Sequence, residues 1–471
     1  MPAVVDVAFE PSENELSSAT ASGGPVHRIV IVGGGAGGLE LATRLGDHFA
    51  ARRAPPRATV VLVDRGATHI WKPLLHEVAA GSMDPHAHQL AYAAQASWHG
   101  FEFQQGELLG LDRARRELRV AAVVDEDGVE ILPQRRIVYD TLVLAIGSTT
   151  NFFGVPGTGE HALPLDTSEQ ADRFRRRLIA ACMRAEHRHA AAEAPPDGAV
   201  APARATVSVA IIGAGATGVE LSAELRNTAQ VLSAYGLHDL DPRRDIRIHV
   251  VEAGPRILPA LPQRVSEGVD ALLRELDIDV LTGERVVEVT ARSVRTANGR
   301  EIPSDLTVWA AGIAAPAVLA TLDGLEVNRS GQILVRQTLQ SQSDDSIFAF
   351  GDCASCAWKD GRTVPPRAQS AHQQAKFLRR ALLDRLAGRP LPEFHFQDLG
   401  SLVSLGHFSA MGNLMGGLIG GTVLIEGLVA RIMYSSLYRM HVLALHGFWR
   451  MVLDTASHWL RSKTHPRVKL H

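Results

Sequence analysis

The feature that most constrains the fold is a glycine-rich loop that occurs twice, each time between a short apolar strand and a helix. The first loop, Gly33-Gly34-Gly35-Ala36-Gly37-Gly38, follows a strand predicted over His27–Val32 and precedes a helix predicted over Leu39–Ala50. The second loop, Gly213-Ala214-Gly215-Ala216-Thr217-Gly218, follows a strand predicted over Val207–Ile212. Since the unit recurs 180 residues along the chain, we expect two related α/β units.

The spacing of the glycines suits binding of a pyrophosphate. The first glycine allows a tight turn, the second lets the backbone approach the phosphates, and the third permits close packing of strand and helix. The helix that follows directs unpaired N–H groups and a positive dipole end at the phosphates. We therefore predict dinucleotide-binding residues in both loops, namely Gly33, Gly35, Ala36, Gly37 and Gly38, and Gly213, Gly215, Thr217 and Gly218.

An acidic residue closes the second strand of each unit. Asp64 ends the predicted strand Thr59–Asp64, and Glu252 ends the predicted strand Ile246–Glu252. A carboxylate at this position can accept hydrogen bonds from ribose hydroxyls and would repel a 2′-phosphate. The second unit is therefore expected to prefer NADH to NADPH, although Arg256, four residues further on, leaves partial accommodation of a 2′-phosphate open.

Three further strand ends contribute to the predicted sites. Ile347–Asp352 is apolar and ends in Gly-Asp, which can place the carboxylate of Asp352 at the ribityl part of a flavin. Asp140–Ile146 and Asp305–Ala311 are similar apolar segments that end at a glycine. Together with the two loops they predict FAD in the first unit and NADH in the second, with further cofactor contacts from Ala145, Gly147 and Gly312.

Length and composition set the domain organisation. A chain of 471 residues with 46% hydrophobic and 21% charged residues is expected to form two or three soluble domains. We predict an α/β fold with two Rossmann-like domains and a C-terminal amphipathic-helical region. The predicted segments are a disordered tail (1–25), the FAD domain (26–165 and 314–390), the NADH domain (166–313, with an insertion at 190–205) and a membrane-association region (391–471). The net charge of −3 argues against nucleic-acid binding.

The C-terminal stretch combines an apolar and a basic face. From Leu424 to His471 there are seven Lys and Arg residues against two acidic residues. One stripe at helical spacing is apolar, whereas a second is polar and basic, and four aromatic residues lie among them (Val429, Met433, Leu437, Met440, Ala444, Phe448 and Val452; Arg431, Ser435, Arg439, His446 and Arg450; Tyr434, Tyr438, Trp449 and Trp459). This pattern predicts a helix that lies on a bilayer surface; a core-facing helix or a homodimer interface remains the alternative.

Three further motifs extend the pattern and carry a resemblance to a known family. They are Trp71-Lys72-Pro73-Leu74-Leu75-His76-Glu77-Val78-Ala79, Gly218-Val219-Glu220-Leu221 and Pro365-Pro366-Arg367-Ala368-Gln369-Ser370-Ala371-His372-Gln373. With the glycine loops, they make the chain from about Val26 to His471 resemble the type II NADH:quinone oxidoreductases. The tail from Gly400-Ser401-Leu402-Val403-Ser404-Leu405 through Ser436-Leu437-Tyr438-Arg439-Met440-His441 resembles the proteobacterial branch of that family. The third motif fits the AQxAxQ quinone-site pattern of that family. A lysine that some members carry after the position of Pro392 has no counterpart here.

The resemblance implies an activity and a set of residues. It implies a peripheral enzyme at the cytoplasmic face of a bacterial inner membrane, passing electrons from NADH through FAD to ubiquinone or menaquinone without pumping protons. Gln369 and Gln373, one helical turn apart, are then expected at the quinone, and Glu220 is hypothesised to relay protons. Lys72 and Ala371 are expected to contact the flavin.

Two other functions remain compatible with the residues. One is a soluble FAD reductase that passes electrons to a ferredoxin-like protein or a disulfide, and the other is a flavin-binding redox sensor without turnover. Cys353 and Cys356 form a CxxC pair directly after Asp352. They could be a redox dithiol, packing residues or an adventitious metal ligand pair, and no further ligands at metal-binding spacing are found.

Overall fold

A computed structural model describes residues 26–51, 57–192, 206–235, 239–405, 409–416 and 421–464. The predicted tail, 1–25, and most of the predicted insertion, 193–205, lie outside these residues. Within them the helices are α1 (Ala36–Ala50), α2 (Leu75–Ala80), α3 (Pro85–His88), α4 (Tyr92–His99), α5 (Thr158–His161), α6 (Ser168–Ala192), α7 (Ala216–Tyr235), α8 (Gln263–Glu275), α9 (Ala368–Leu386) and α10 (Gly427–Thr464).

Most strands are short and belong to several sheets. They are β1 (His27–Val32), β2 (Ala58–Asp64), β3 (Thr68–His69), β4 (Leu90–Ala91), β5 (Glu102–Gln105), β6 (Leu108–Asp112), β7 (Glu117–Val120), β8 (Val123–Val124), β9 (Glu130–Leu132), β10 (Arg135–Val138), β11 (Thr141–Leu144), β12 (Thr149–Thr150), β13 (Ala162–Pro164), β14 (Val207–Ile212), β15 (Ile246–Val251), β16 (Ile278–Leu281), β17 (Val286–Val289), β18 (Ser293–Thr296), β19 (Glu301–Pro303), β20 (Leu306–Trp309), β21 (Ile313–Ala314), β22 (Ile333–Val335), β23 (Ile347–Ala349), β24 (Ala354–Cys356), β25 (Gly400–Leu405), β26 (Ser409–Gly416) and β27 (Gly421–Glu426). Three 3₁₀ turns cover Lys72–Leu74, Ala317–Thr321 and Gly351–Cys353.

Two five-stranded parallel sheets form the centres of the two predicted domains. The first has the order β23-β11-β1-β2-β5, and the second has the order β13-β20-β14-β15-β16. In each sheet the strand before the glycine loop is central, which is why β1 and β14 are apolar on both faces and almost wholly buried. This arrangement confirms the predicted pair of Rossmann-like units.

The segment boundaries differ in detail from those drawn on the sequence. Strand β13 already pairs with β20 of the second sheet, so that sheet begins at Ala162, before the boundary at 165. Strand β23 returns to the first sheet beside β11. Helix α6 continues to Ala192, so the first residues of the predicted insertion are helical.

The C-terminal region adds a small antiparallel sheet and a long helix. Strands β25, β26 and β27 pair in sequence order, and α10 follows directly. Gly447 in α10 has φ 75° and ψ 176°, so the helix is kinked there. None of the helices in the described part of the chain combines the length and the apolar character needed to cross a bilayer.

Candidate functional site

The first glycine loop is shaped for a close approach by a ligand. Gly33 has φ 102°, and a Cβ there would lie 2.4 Å from the carbonyl oxygen of Ala145. At Gly38 a Cβ would lie 1.8 Å from the carbonyl oxygen of Gly33, so β1 and α1 can pack this closely only because residue 38 has no side chain. A Cβ on Gly35, in contrast, would meet no atom within 4 Å. The open space lies directly before the N-terminus of α1, where a pyrophosphate would be bound.

The second loop repeats this geometry. Gly213 has φ 100°, and a Cβ on Gly218 would lie 2.0 Å from the oxygen of Gly213. Around Gly215 the space is again empty, and Thr217 is exposed in the first turn of α7. The structure thus places the loop residues predicted from sequence at two equivalent strand–helix turns. Both turns fit a dinucleotide.

The two strand-end carboxylates also organise their own loops, a role that the sequence did not indicate. Asp64 accepts hydrogen bonds from the N–H of Gly34 (2.6 Å) and of Gly66 (2.8 Å). Glu252 accepts from the N–H of Ala214 (2.8 Å) and of Gly254 (2.7 Å). Each carboxylate oxygen retains a second lone pair, so the same groups can still accept ribose hydroxyls.

The flavin end of the first site gathers residues from four parts of the chain. Asp352 lies in the turn after β23, and burial raises the pKa of its carboxyl while Ser148 and Lys72 lower it. Ser148 donates its hydroxyl to Asp352 (2.8 Å), and the ammonium of Lys72 donates to the carbonyl of Ser148 (2.9 Å) and to Asp166 (3.1 Å). Lys72 therefore reaches Asp352 through one intervening residue.

Gln374 is a site residue that sequence reasoning missed. Its side chain is buried, and its amide oxygen accepts the N–H of Gly351 (2.9 Å), which fixes the Gly-Asp turn against α9. Ala371 lies at the same contact, 3.9 Å from where a Cβ on Gly351 would be. In the sequence Gln374 is only a third glutamine after Gln369 and Gln373. That its side chain points toward Gly351 depends on how α9 packs.

A short two-stranded crossing joins the two domains beside both sites. Strand β12 follows Gly147 and pairs antiparallel with β21, which follows Gly312. Gly147 has φ 69° and open space around it, whereas a Cβ on Gly312 would lie 2.8 Å from the ring of Phe153. Ala145, at the end of β11, forms the wall against Gly33. The sequence-predicted strand ends therefore meet where the domains connect.

The two glutamines of the Ala-Gln motif bind the backbone that leads to β25. Gln369 donates to the carbonyl of Gly400 (2.9 Å) and accepts the N–H of Leu399 (3.2 Å). Gln373 donates to the carbonyl of Gln397 (2.8 Å) and accepts its N–H (3.1 Å). Both lie on one face of α9, as predicted. The helix begins at Ala368 after an Arg367 N-cap, so the two prolines lie outside its first turn.

Glu220 links the second domain to the C-terminal sheet. It is buried in the second turn of α7, and one carboxylate oxygen accepts the N–H of Ser404 in β25 (3.0 Å). Its other oxygen lies 3.6 Å from Nδ1 of His76 in α2. Burial lowers the pKa of His76 to about 4, so this imidazole is neutral at pH 7. Glu220 therefore joins elements from the two nucleotide domains and the C-terminal region.

A second carboxyl adjoins this position. Burial, and secondarily the carboxylate of Glu224, raises the pKa of Glu77 to about 8. Its Oε1 lies 4.0 Å from Nε2 of His76, which has no hydrogen-bond partner among the described residues. Since 28% of the Glu77 side chain is accessible, a proton held there can exchange with solvent. Glu77, His76 and Glu220 form a row of titratable groups that the sequence motifs did not reveal.

The raised pKa of Glu77 predicts a pH-dependent stability difference. The folded protein holds this proton up to about pH 8, whereas the unfolded chain releases it near its ordinary value of 4.5. Stability contributed by the protonated carboxyl is therefore present below pH 4.5 and is lost as the pH rises to 8. Glu77→Gln removes this titration, so its Tm relative to the unsubstituted protein should increase between pH 5 and pH 8.5. Thermal unfolding at both pH values measures it, and a constant difference would contradict the assignment.

The CxxC pair lacks the properties of a redox dithiol. Cys353 and Cys356 are buried and not disulfide-bonded. Burial raises the pKa of Cys353 to about 12 and that of Cys356 to about 11, so both remain protonated thiols. No group of three or more potential metal ligands was found among the described residues. Packing is the role that this geometry supports.

Arg256 is engaged by the protein itself. Its guanidinium donates to the carbonyls of Leu261 (3.0 Å) and Pro259 (2.8 Å) and contacts Ser266. These bonds fix the loop after β15 and leave fewer donors for a 2′-phosphate. The arrangement favours the predicted preference for NADH.

Helix α10 presents its apolar stripe outward. His441, Val442 and Leu445 are buried, with Leu445 in the core of the first domain and His441 hydrogen-bonded to His69. Of the described members of the apolar stripe, Ala444 is half-buried, and the others are exposed together with their neighbours (Leu437, Met440, Leu443, Phe448, Trp449, Val452 and Leu453). Arg439 and Arg450 are exposed as well. The core-facing alternative is therefore wrong for this part of the helix. The side chains of Val429, Arg431, Met433, Tyr434, Ser435 and Trp459 lie outside the described residues.

Comparisons with known proteins agree with this geometry. Residues 27–375 match the family model described as pyridine nucleotide-disulphide oxidoreductase. The chain is 42% identical to the type II NADH:quinone oxidoreductase of Haemophilus influenzae over 94% of this chain and 99% of that protein. It is 30% identical to demethylphylloquinone reductase NdbB of Synechocystis sp. over 92% and 95% of the two chains.

Solved structures share the fold at lower identity. NDH2 from Plasmodium falciparum in complex with NADH aligns with a TM-score of 0.76 and 17% identity, over 95% of this chain and 100% of that one. The sulfide:quinone oxidoreductase of Aquifex aeolicus aligns with a TM-score of 0.66 and 17% identity, over 93% and 96%. The fold thus continues through the C-terminal region of this chain.

Proposed function

The chain belongs to the type II NADH:quinone oxidoreductases, within the pyridine nucleotide-disulphide oxidoreductase family, and from this we propose that it passes electrons from NADH through FAD to a membrane quinone. The observation that carries the proposal is the pair of open glycine turns, at Gly35 and Gly215, in a chain that aligns over almost its whole length with a protein of that activity. Aerobic oxidation of NADH should depend on added decylubiquinone and not on a ferredoxin or a disulfide.

The residues fit both cofactors in the order expected from the sequence. The first loop, with Asp64 and the Gly351–Asp352 turn, would hold FAD; the second loop, with Glu252, would hold NADH. FAD, when bound, accepts two electrons as hydride from NADH and passes them to the acceptor. The Lys72–Ser148–Asp352 chain of contacts would orient the flavin. Beside it, the N-terminus of α9 would favour negative charge on the reduced ring.

We place the quinone beside the Ala-Gln motif and Glu220. Gln369 and Gln373 hold the segment before β25, and Glu220 holds β25 itself through Ser404. Reduction of a quinone consumes protons, and the row of Glu77, His76 and Glu220 offers a route for one of them. Glu220 is the last group of this row. One of its carboxylate oxygens lies near His76, and the other accepts the N–H of Ser404 in β25.

Glu220→Gln tests the proton-relay role. The amide oxygen can still accept the N–H of Ser404, so the fold and the FAD content should be retained, but the side chain can no longer carry a proton. Quinone turnover should fall about 100-fold, within the usual effect of losing a general acid–base group. Reduction of the flavin by NADH, measured without quinone, should change less than about twofold because it needs no proton from Glu220. Unchanged quinone turnover with intact FAD would exclude the role.

We further propose that the outer face of α10 binds the bilayer surface. Exposed Phe448, Trp449 and Leu453 would enter the headgroup region, while Arg439 and Arg450 would face anionic lipids. A quinone substrate dissolves in the bilayer, which gives this face a functional reason. The enzyme would act at the cytoplasmic face of the inner membrane without pumping protons; a homodimer through the same face is the competing assembly.

Replacing the outer apolar residues tests the membrane proposal. A variant that combines Phe448→Ser, Trp449→Ser and Leu453→Ser should no longer co-sediment with vesicles that contain phosphatidylglycerol. Each Å² of apolar surface that no longer enters the bilayer removes about 25 cal/mol of binding free energy. NADH oxidation by a water-soluble short-chain quinone should remain within about twofold, since no residue that lines the glycine turns is altered. Vesicle binding that persists would contradict the membrane proposal. If a dimer also became a monomer in that variant, the face would be assigned to the homodimer instead.

A further inference from the structure

The carbonyl oxygen of Gly34, inside the first glycine loop, accepts two hydrogen bonds from buried side chains. The hydroxyl of Tyr92 donates to it (2.8 Å), and Nδ1 of His69 lies 2.9 Å from it. A carbonyl oxygen can only accept, so this nitrogen of His69 carries the hydrogen. On its other side Gly34 donates its N–H to Asp64 (2.6 Å). Both backbone polar groups of Gly34 are therefore held by side chains.

These bonds set the direction of the peptide that faces the pyrophosphate position. In a trans peptide the C=O of Gly34 and the N–H of Gly35 point in opposite directions. With the oxygen held by Tyr92 and His69, the N–H of Gly35 points away from both side chains. This N–H has no acceptor among the residues that the structure describes, and a Cβ on Gly35 would meet no atom within 4 Å. It is thus available to a phosphate oxygen of FAD.

His69 is connected in turn to the C-terminal helix. Burial lowers the pKa of His69 to about 4, so its ring is neutral at pH 7 and its Nε2 is an acceptor. Nε2 of His441 in α10 lies 2.9 Å from that atom and therefore donates to it. Hydrogen bonds in a chain polarise one another, so the bond from His441 strengthens the bond that His69 donates to Gly34.

His441 also contacts the flavin end of the same site. Its ring is stacked on that of Trp71, with planes 14° apart and centroids 5.7 Å apart. Trp71 is the N-cap of the turn Lys72–Leu74, whose first residue is the lysine expected at the flavin. One side chain of α10 therefore contacts the residue behind the phosphate loop and the residue before that lysine.

We propose that His441 is a positioning residue for FAD: from α10 it fixes His69, and His69 fixes the carbonyl of Gly34 so that the N–H of Gly35 is directed at the pyrophosphate. The C-terminal helix then supports the FAD site from behind the loop, and His441 acts without touching the cofactor. This role concerns how tightly FAD is held and is independent of which acceptor takes the electrons.

Release of FAD from the full-length holoenzyme tests the proposal. After dilution, the dissociation rate is measured by the rise in flavin fluorescence as FAD leaves the protein. His441→Leu keeps an apolar contact with Trp71 but leaves the buried Nε2 of His69 without a donor. The rate should therefore rise about five- to tenfold, as expected for one lost buried hydrogen bond.

His441→Gln separates positioning from packing. The amide nitrogen of glutamine can donate from the position of the imidazole Nε2, so the dissociation rate should return to within about twofold of that of the unsubstituted protein. If the ring of His441 mattered only for packing, glutamine would not restore the retention of FAD.

His446→Leu is the matched control in the same helix. His446 contacts Gln95 of α4 (3.1 Å), so it also joins α10 to the first domain, but this contact does not run to the carbonyl of Gly34. The same substitution at this position should leave the dissociation rate of FAD within about twofold of the unsubstituted value.

A double-mutant cycle tests the path through His69. His69→Leu should itself raise the dissociation rate, and adding His441→Leu should then change it less than about twofold further, because the partner is already absent. Multiplied effects of the two substitutions, an unchanged rate in His441→Leu, no recovery in His441→Gln, or an equal rise in His446→Leu would overturn the proposal. Reduction of decylubiquinone by the unsubstituted holoenzyme tests the NADH:quinone activity separately.

Discussion

Gly35→Val is expected to give a folded protein that purifies without FAD. Gly35 has φ −63° and ψ −173°, an extended conformation that valine adopts readily, and its Cβ would meet no protein atom within 4 Å. The added side chain would instead fill the space in which the pyrophosphate must approach the backbone. FAD content, measured by the flavin absorbance at about 450 nm, should fall below about a tenth of that of the unsubstituted protein.

Gly215→Val is the matched control for that loss. The second turn has the same open space, so the variant should fold and keep FAD. Its KM for NADH should rise about 100-fold or more, because the blocked pyrophosphate contact is worth at least ~2.7 kcal/mol. Loss of FAD in Gly215→Val, or retention of FAD in Gly35→Val, would contradict the assignment of the two cofactors to the two loops.

Gln369→Leu is expected to lower quinone reduction about 10- to 100-fold with little change in reduction of the flavin by NADH. Leucine can neither donate to Gly400 nor accept from Leu399, and each unpaired backbone group costs about 1–3 kcal/mol. The segment before β25 would loosen, and the amide proposed to bind the quinone carbonyl would be lost. The two half-reactions, measured separately by stopped-flow absorbance, show which step is affected.

Arg367→Gln separates anchoring from quinone recognition. Arg367 holds the same segment through an ion pair with Asp398 (3.3 Å). It precedes Ala368 and is therefore not one of the residues of the AQxAxQ pattern. If Gln369 contacts the quinone, Arg367→Gln should reduce quinone turnover less than Gln369→Leu does. Equal effects would assign Gln369 an anchoring role only, and full turnover in Gln369→Leu would exclude both roles.

The glycine turns and the central strands could be predicted almost residue by residue. β1 and β14 have the predicted bounds because their sequences are apolar on both faces, and the turn after each requires glycine. Ends of other strands differ by one to three residues; the segment predicted over Asp140–Ile146 is β11, Thr141–Leu144, and the strand predicted to end at Asp352 is β23, Ile347–Ala349. Helix α1 begins at Ala36 rather than Leu39, since the glycines themselves form its first turn.

The pairing of distant polar residues could not be predicted. Gln374 lies next to two glutamines with similar local sequence, and only the packing of α9 on the Gly351 turn gives it a different role. His69 and His441 are 372 residues apart, so no local pattern brings them together. The outward direction of the α10 stripe was ambiguous for a related reason. Periodicity defines a face, but a neighbouring surface determines whether that face is covered.

Sequential mixing tests most directly whether a quinone accepts the electrons that NADH delivers to the flavin. The oxidised holoenzyme is first mixed anaerobically with one equivalent of NADH and then with decylubiquinone. NADH should bleach the flavin within milliseconds to seconds, and the quinone should restore its absorbance at a rate no slower than steady-state turnover. A flavin that NADH reduces but that decylubiquinone reoxidises more slowly than a ferredoxin or a disulfide would contradict the assignment of the quinone as acceptor.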